Sequence, residues 1–345
     1  MARRLLCVGT GLPHHLPATY AHAFEELGWQ ASSFDLDAAV RANTRLGPLG
    51  ARFNDYVPVE AWVRKANREL LLEAIAKKPD LVAVVGHASM RAGALSQLLA
   101  ALPATRLALI WPDTLLNLGR EELECLPLYD VVASYGRDSV GPLERLGARR
   151  TEWIPLAADP KLHRADVLDE ATRKRWQSEV LFVGSHRPER ERSIVALLDA
   201  GIRVTVWGGA PWRKNARHPE RVSSYWQGRE LHGRELATAS SCARVCVNLI
   251  DPTNFPAANM RLFENFLFDV ATVNTACPEM ADIFRHEEHT LYAADDTELV
   301  ASVRRLLADE TLRRRIARAG RDLVLAEHTY VQRARALASA LGLAG

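Results

Sequence analysis

The sequence predicts an α/β protein made of two Rossmann-like, doubly wound domains that face each other across a cleft. Both halves of the chain begin with a short apolar strand that runs into a glycine turn, RLLCVGTG at 4–11 and EVLFVGSH at 179–186. Later apolar strands, such as LVAVVG at 81–86, alternate with helix patterns. Continuous apolar strands of this kind are typical of parallel sheets with both faces covered by helices.

The remaining elements follow from the same two periodicities. Right-handed βαβ connections are expected between successive parallel strands. Further strands are predicted at 29–36, 106–111, 130–135, 151–156, 201–209, 243–250 and 271–276. Helices are predicted near 17–27, 60–77, 91–101, 138–146, 188–199, 259–268, 296–307, 309–326 and 329–342.

The chain is expected to divide at the end of its first half. We predict an N-terminal domain at 1–157, a charged linker at 158–177 and a C-terminal domain at 178–328. A last segment at 329–345 contains a helix that could return to the N-terminal domain. Ligands of doubly wound sheets bind outside the carboxyl ends of the strands, so the loops at those ends are the places to look for a site.

Composition argues against several classes of protein. The 345 residues carry a net charge of +2, whereas a dedicated nucleic-acid-binding protein normally shows a basic stripe. The five cysteines are scattered without zinc spacing and indicate free thiols in a reducing compartment. The first residues lack the apolar core of a signal peptide and no run approaches the length of a membrane span, so we expect a cytoplasmic protein.

The segment VNLIDPTNFPAANMRLFENF at 247–266 is the most informative part of the chain. A strand ends in turn-forming residues, a step of small residues follows, and a helix begins. Free N–H groups at a helix N-terminus favour a phosphate, and Glu264, about one turn later, could accept hydrogen bonds from a sugar diol. The pattern predicts a nucleotide with a ribose, bound by Ala258, Asn259, Met260, Arg261 and Glu264.

Two further loops of the C-terminal half carry candidate nucleotide contacts. In VGSHRPERER at 183–192, Gly184 and Ser185 permit a close backbone approach, and Arg187 can bind a diphosphate. The alternative is a solvated helix face whose glutamates neutralise the arginines. The loop SSYWQGREL at 223–231 offers either ordinary loop aromatics or side chains that stack on or hydrogen-bond a base. The candidates in it are Tyr225, Trp226 and Gln227.

Histidine and aspartate side chains follow strands of the N-terminal half. The turn at 9–11 lacks the third glycine of a dinucleotide fingerprint, because His14 stands in that position, and this argues against NAD. His14 or His15, after the first strand, could act as a general base, and His87 and Asp113 follow two later strands. The alternative is that all four are ordinary loop or turn residues.

Taken together, these segments resemble glycosyltransferases of the two-domain GT-B fold, nearest the CgeB-like (spore maturation protein) branch. The resemblance covers nearly the whole chain and is most specific in VLFVGSHRPER, VTVWGGAPW, VNLIDPTNFPAANMRLFE and the closing run from LYAADDTELV to HTYVQR. It implies a donor nucleotide in the C-terminal domain and an acceptor in the N-terminal domain. It also implies that Glu264 binds the ribose and that the loop Ala257–Arg261 holds the diphosphate.

One position departs from the pattern of related retaining enzymes, which carry two glutamates separated by seven residues. Counting back from Glu264, the position of the first glutamate holds Pro256. The carboxylate that contacts the donor sugar in those enzymes is therefore missing. The resemblance supports nucleotide binding better than it supports retention of configuration.

The sequence as a whole predicts a glycosyltransferase that moves a sugar from a UDP-, GDP- or dTDP-linked donor to a hydroxyl of a glycan, protein or metabolite. Arginines and helix N-terminal amides would stabilise the departing diphosphate, so neither a metal nor a cofactor is expected. Two alternatives remain open: a sugar-nucleotide epimerase on the same fold, and a non-catalytic partner protein with a glycosyltransferase-like fold. The donor, the acceptor and the oligomeric state do not follow from the fold.

Overall fold

The computed structural model describes residues 2–11, 15–44, 50, 59–164 and 168–344, and the chain divides into two compact units. The first unit consists of Met1–Pro155 together with Tyr330–Gly345, and the second consists of Leu156–Thr329. Each unit contains one sheet whose strands are all parallel. The predicted α/β class with two doubly wound domains is thus confirmed, and it rests on buried apolar strands connected by helices.

The sheet of the first unit has six strands in the order β2-β1-β3-β4-β5-β6. They are β1 (Arg4–Gly9), β2 (Gln30–Asp35), β3 (Leu81–Val85), β4 (Arg106–Trp111), β5 (Val131–Ser134) and β6 (Thr151–Trp153). The chain reverses its direction of progress across the sheet between β1 and β3. That reversal is the place where doubly wound sheets leave a crevice at the carboxyl ends of their strands.

The sheet of the second unit has five strands in the order β11-β10-β9-β7-β8. They are β7 (Ser178–Val183), β8 (Val204–Trp207), β9 (Ala243–Asn248), β10 (Thr272–Thr275) and β11 (Leu291–Ala293). The same reversal occurs here between β7 and β9. The two units therefore share one winding pattern, in which the second strand lies outside the first and the later strands follow on the other side.

The described residues form sixteen α-helices, which we number in chain order. Helices of the first unit before the crossover are α1 (Leu16–Glu26), α2 (Leu36–Ala42), α3 (Glu60–Lys77), α4 (Ala92–Ala101), α5 (Arg120–Cys125) and α6 (Val140–Arg145). Those of the second unit are α7 (Glu170–Trp176), α8 (Pro188–Asp199), α9 (Pro211–Lys214), α10 (Val222–Tyr225), α11 (Gly233–Ser241), α12 (Met260–Leu267), α13 (Pro278–Ala281), α14 (Asp296–Ala308) and α15 (Glu310–Glu327). The chain ends with α16 (Tyr330–Ala340).

Several elements lie where the sequence pattern did not predict them. The segment predicted as a linker, 158–177, falls in the second unit and contains α7, because Asp169 caps that helix through the N–H of Thr172. Helix α11 and strand β11 were also missed. The strand has three residues and α11 has nine, and both are too short for a periodic pattern to stand out.

The C-terminal helix α16 packs within the first unit. The rings of Tyr20, on α1, and Tyr330 meet edge to face at 5.3 Å between centroids. The buried guanidinium of Arg333 donates through Nε to the carbonyl oxygen of Pro155 at 2.8 Å. The helix is therefore held by an aromatic contact on one side and by a buried hydrogen bond on the other. Within the described residues, no helix has the length and apolar character needed to cross a membrane.

Helix α12 is held against α15 by a close contact at Gly320. A Cβ atom at this position would collide with the ring of Phe266 and would lie 3.0 Å from the carbonyl oxygen of His289. Phe266 cannot easily move aside, because its ring is buried and stacks on Phe284 at 4.8 Å between centroids. Glycine at 320 thus allows α12, which carries Glu264, to lie close to its neighbour.

We predict that Gly320→Ala destabilises the second unit. Alanine is favoured over glycine inside a helix by about 1 kcal/mol, but forcing a methyl group into a packed interface costs about 1–3 kcal/mol and a fixed aromatic ring favours the upper end. The urea midpoint of unfolding should fall. Arg318→Ala, on an exposed position of the same helix, is the control and should leave the midpoint nearly unchanged. A rise in the midpoint for Gly320→Ala would contradict the close contact.

Candidate functional site

The loops that follow β7 and β9 meet where the second sheet reverses. Arg190, near the start of α8, is buried and lies between them. Its Nε donates to the carbonyl oxygen of Leu249 at 2.8 Å, and its Nη1 donates to the carbonyl oxygen and the hydroxyl of Ser185 at 3.0 and 2.9 Å. One guanidinium therefore ties the two loops together.

Arg187 lies on the same loop and forms an ion pair across the reversal. Its Nε is 2.6 Å from Oδ2 of Asp251, while about half of the Arg187 side chain stays exposed. Burial alone would raise the pKa of Asp251, but the hydrogen bonds from Arg187 and Thr253 outweigh it and hold that pKa below its ordinary value. Asp251 is thus a carboxylate at neutral pH and orients the guanidinium.

Three arginines cluster at this edge of the sheet. The pKa of Arg190 is lowered first by burial, and the positive charges of Arg187 and Arg261 lower it further, against the opposing effect of Asp251. Guanidinium groups do not lose their protons at physiological pH, so the cluster remains positively charged. Three like charges placed together indicate a site for an anion. A cavity of about 450 Å³ opens beside them, lined by Arg190, Asp251 and the exposed ring of Phe255 among others.

Gly184 is packed closely against aromatic side chains of the second unit. Its carbonyl oxygen accepts the indole N–H of Trp212 at 2.8 Å, and a Cβ atom on Gly184 would come within 2.9 Å of the ring of Phe182. The packing of these two aromatic rings already requires a glycine here, and the approach of a ligand to it stays a prediction. The hydroxyl of Ser185 receives Arg190 and orients that arginine.

Helix α12 begins at the predicted position, and Asn259 is its N-cap. The side-chain oxygen of Asn259 accepts the N–H of Leu262 at 3.1 Å. The same amide forms a reciprocal pair with Asn248, which in turn contacts Asn274 at 2.8 Å. Because the Asn259 side chain is occupied in this way, only its backbone remains as a ligand contact. The cap uses the N–H of Leu262, while the two N–H groups before it in the first helical turn have no acceptor within the helix and could face an anion.

The other predicted residues of this helix have different environments. Ala258 is buried, while about a third of Met260 is exposed. Arg261 and Glu264 form a buried ion pair, with 2.6 Å between Nη1 and Oε2. The pair lacks hydrogen-bond geometry, so both atoms stay without a hydrogen-bond partner among the described residues. Buried polar groups in this state are costly and are satisfied when a ligand supplies the missing partners.

The structure corrects the interpretation of the loop at 225–227. Tyr225 is fully buried, and its ring packs against Trp212 at 6.0 Å between centroids, so it offers no face to a base. Trp226 is half-buried and donates its indole N–H to the carbonyl oxygen of Gly208 at 2.8 Å. Gln227 is exposed and pairs through its N–H with the edge strand β8 at Val206. Of the three, Tyr225 is closed to solvent, Trp226 is partly open and Gln227 is exposed.

In the first unit, the structure brings His87 and Asp113 together. His87 follows Gly86, whose φ of +64° turns the chain at the end of β3, and Asp113 follows β4. Nε2 of His87 lies 3.1 Å from Oδ2 of Asp113. Asp113 also accepts the N–H of Thr114 at 2.7 Å and the amide of Asn117 at 2.8 Å, so its orientation is set from three sides.

The two histidines after β1 have separate outcomes. His15 is half-buried and is the N-cap residue of α1, where its carbonyl oxygen accepts the N–H groups of Ala18 and Thr19. It therefore has a structural place at the start of the helix, and its catalytic role stays a prediction. His14 lies outside the described residues. Among the residues that are described, no group of three or more histidine, cysteine or acidic side chains could hold a metal ion.

Three residues that form contacts in the second unit were not predicted as functional. Arg190 was only one of several charges, Asp251 was only a turn former, and His163 was part of the supposed linker. Nε2 of His163 lies 3.3 Å from Oε1 of Glu264, and both side chains are almost completely buried. The place of Arg190, near the start of the helix that follows a glycine loop, is a local signal that could have identified it. No local pattern connects His163 with Glu264, because they are far apart in the sequence.

We predict that His87 titrates above the ordinary histidine pKa of 6.5. The hydrogen bond to Asp113 raises the pKa of His87 and lowers that of Asp113. The ion pair therefore contributes to stability below about pH 6.5, and its contribution is lost as the pH rises through the higher pKa of the folded protein. NMR titration should show a raised midpoint in the wild type and a lower one in Asp113→Asn. Asp322→Asn should leave it unchanged, and a wild-type midpoint at or below 6.5 would contradict the pair.

Comparison with known proteins agrees with this geometry. A family profile described as glycosyl transferase-like matches residues 187–339, the part of the chain that carries all three clustered arginines. No curated protein sequence matches the chain.

Solved structures are similar to the chain over nearly its whole length. Sucrose-phosphate synthase from Thermosynechococcus elongatus has a TM-score of 0.68 at 16% identity, with 98% of each chain covered. HepE from Anabaena in complex with UDP-glucose has a TM-score of 0.67 at 12% identity, with 98% of this chain and 99% of HepE covered. A glycosyltransferase from Rickettsia africae has a TM-score of 0.69 at 10% identity, with 98% and 97% covered. The chain therefore has the two-domain GT-B fold of these structures, and residues 187–339 match the glycosyl transferase-like family profile.

Proposed function

We propose that the protein transfers a sugar from a UDP-linked donor to a hydroxyl group of an acceptor. The observation that carries this proposal is the cluster of Arg187, Arg190 and Arg261 at the carboxyl edge of the second sheet. A diphosphate neutralises such a cluster, and the charge on it grows as the bond to the sugar breaks. The similarity to HepE, whose structure contains UDP-glucose, favours UDP over the other nucleotides.

The diphosphate would be held by Arg187 and Arg261 and by the first N–H groups of α12. Arg190 would contribute its positive charge without touching the diphosphate. It is buried, and its Nε and Nη1 atoms donate to Leu249 and Ser185. These groups are fixed before the donor binds, so they stabilise the departing diphosphate without reorganising. We propose on this basis that transfer is independent of a metal ion.

Glu264 would bind the ribose. It lies one turn beyond the N-terminus of α12, which places a carboxylate close to the proposed diphosphate position. Ionised carboxylates only accept hydrogen bonds, and a ribose offers two neighbouring hydroxyl donors. Pro256 stands where related retaining enzymes carry a further glutamate, so the anomeric configuration of the product is the measurement that decides between retention and inversion.

The first unit would supply the acceptor side of the reaction. Of the predicted catalytic residues that the structure describes, His87 and Asp113 lie in contact, and a carboxylate-oriented imidazole can take a proton from an attacking hydroxyl. We also propose that the protein belongs to the CgeB-like branch and acts in the cytoplasm, in keeping with the motifs of the second half.

We predict that Arg187→Ala weakens UDP binding about tenfold, as expected for the loss of a charge-assisted hydrogen bond in a partly exposed position. Calorimetric titration with UDP and with uridine would measure it. Uridine carries no phosphate, so its affinity should not change. Arg203→Ala is the matched control, because this exposed arginine also pairs with an acid, Glu179, but lies at the opposite edge of the sheet. Unchanged UDP affinity in Arg187→Ala would remove Arg187 from the site.

The same titration tests the proposal as a whole. If UDP, GDP and dTDP all fail to bind the wild type at millimolar concentration, a non-catalytic partner protein becomes the better description. If a nucleotide sugar binds and is converted to a different nucleotide sugar without any acceptor, the protein is an epimerase. Transfer to an added acceptor with release of UDP distinguishes the proposed activity from both.

We predict that Asp113→Asn lowers kcat about a hundredfold while UDP affinity stays unchanged. Without the carboxylate, the imidazole of His87 loses the group that orients it and stabilises its protonated form, and general-base catalysis contributes at least this factor. Steady-state kinetics and UDP titration of the same preparation would measure both quantities. Asp322→Asn, at an exposed position of α15, serves as the control. An unaltered kcat would exclude the pair from catalysis.

A further inference from the structure

Glu264 is contacted by a histidine from a segment far from it in the sequence. His163 follows the crossover into the second unit, and its Nε2 lies 3.3 Å from Oε1 of Glu264. The side chains of His163 and Glu264 are 11% and 8% exposed, so the contact is shielded from water. Arg261 approaches the other carboxylate oxygen at 2.6 Å. Both carboxylate oxygens thus have a nitrogen-bearing side chain beside them.

The hydrogen of the neutral His163 ring is on the nitrogen that lies nearest to Glu264. Nδ1 of His163 accepts the backbone N–H of Asp159 at 3.1 Å. An imidazole nitrogen that accepts a hydrogen bond carries no hydrogen, so the hydrogen of the neutral ring is on Nε2. This assignment follows from the backbone N–H, which can only donate. Nε2 therefore carries the hydrogen, and it lies 3.3 Å from the carboxylate in a contact that does not have hydrogen-bond geometry.

The His163 ring is itself held in place by its surroundings. The backbone N–H of His163 donates to the carbonyl oxygen of Asp159 at 2.8 Å, which closes a turn around the ring. Ala158, the residue before Asp159, is paired with Thr329 in a parallel β-bridge. The ring also meets Phe268 edge to face at 5.9 Å between centroids. A rigid turn thus presents one donor to Glu264.

We propose that His163 is a positioning residue that orients Glu264 toward the ribose of the donor nucleotide. This inference rests on the proposed function, in which Glu264 binds the ribose diol. A carboxylate has about four lone-pair directions. His163 and Arg261 approach different oxygens without forming hydrogen bonds to them, so lone-pair directions on each oxygen remain for a hydroxyl. The carboxylate is in this way prepared for two neighbouring hydroxyl groups.

Two substitutions separate this role from a purely structural one. His163→Asn ends its amide near the place of Nδ1, so its oxygen can still accept the Asp159 N–H, but it has no donor near Glu264. His163→Gln reaches the place of Nε2 and can donate to Glu264, but it gives up the bond to Asp159. His163→Asn therefore keeps the hydrogen bond to Asp159 and loses the donor near Glu264. His163→Gln keeps a donor near Glu264 and loses the hydrogen bond to Asp159.

The experiment compares UDP with 2′,3′-dideoxy-UDP, which lacks both ribose hydroxyls, by calorimetric titration of the full-length protein. For His163→Asn we expect UDP affinity to fall about tenfold, the usual effect of losing a polar contact to a charged group, with dideoxy-UDP affinity unchanged within about twofold. For His163→Gln we expect UDP affinity within about threefold of the wild type. Thermal unfolding of each variant checks that the second unit is folded.

Each other outcome has a defined meaning. Equal losses for both nucleotides in His163→Asn, or a loss in His163→Gln but not in His163→Asn, would overturn the positioning role and leave His163 as a packing residue. In either case the proposed function stands, provided that the wild type prefers UDP to dideoxy-UDP and Glu264→Gln abolishes that preference. A wild type that does not distinguish the two nucleotides would overturn the ribose role of Glu264 together with this inference.

Discussion

The second unit depends on one buried guanidinium, that of Arg190. A buried charge without partners costs several kcal/mol, so the chain around it must supply acceptors. The acceptors are Leu249 after β9 and Ser185 after β7. The two loops can meet the requirement only by converging on the same point. Convergence in turn places Arg187 beside Asp251, so the site is a consequence of satisfying Arg190.

The three arginines of the cluster already lie together before any ligand binds. Arg187, Arg190 and Arg261 repel one another in the free protein, and the carboxylates of Asp251 and Glu264 relieve part of that repulsion. An anion that binds among them removes the repulsion and gains the attraction of groups that are already oriented. Electrostatic stabilisation of this kind needs a rigid frame. Buried amide pairs such as Asn248 with Asn259 supply it at the start of α12.

The two units use one winding pattern for different chemistry. In the first, side chains after β3 and β4 form a hydrogen-bonded histidine and aspartate, His87 and Asp113. In the second, the loops after β7 and β9 bear arginines. The pattern only decides that polar side chains from neighbouring strands meet at the carboxyl edge of a sheet. The residue types at those ends decide whether a unit suits proton transfer or anion binding.

The sequence by itself determined the winding and the position of the loop between β9 and α12. Apolar strand runs and small-residue turns are local patterns, and they predicted the strands that form most of both sheets and the start of α12 at Met260. Only the tertiary structure decided which polar groups are already engaged. Tyr225 lies in the core, the amide of Asn259 caps a helix, and His163 reaches Glu264 from another part of the chain. Burial and pairing depend on residues distant in sequence, and a local pattern contains no information about them.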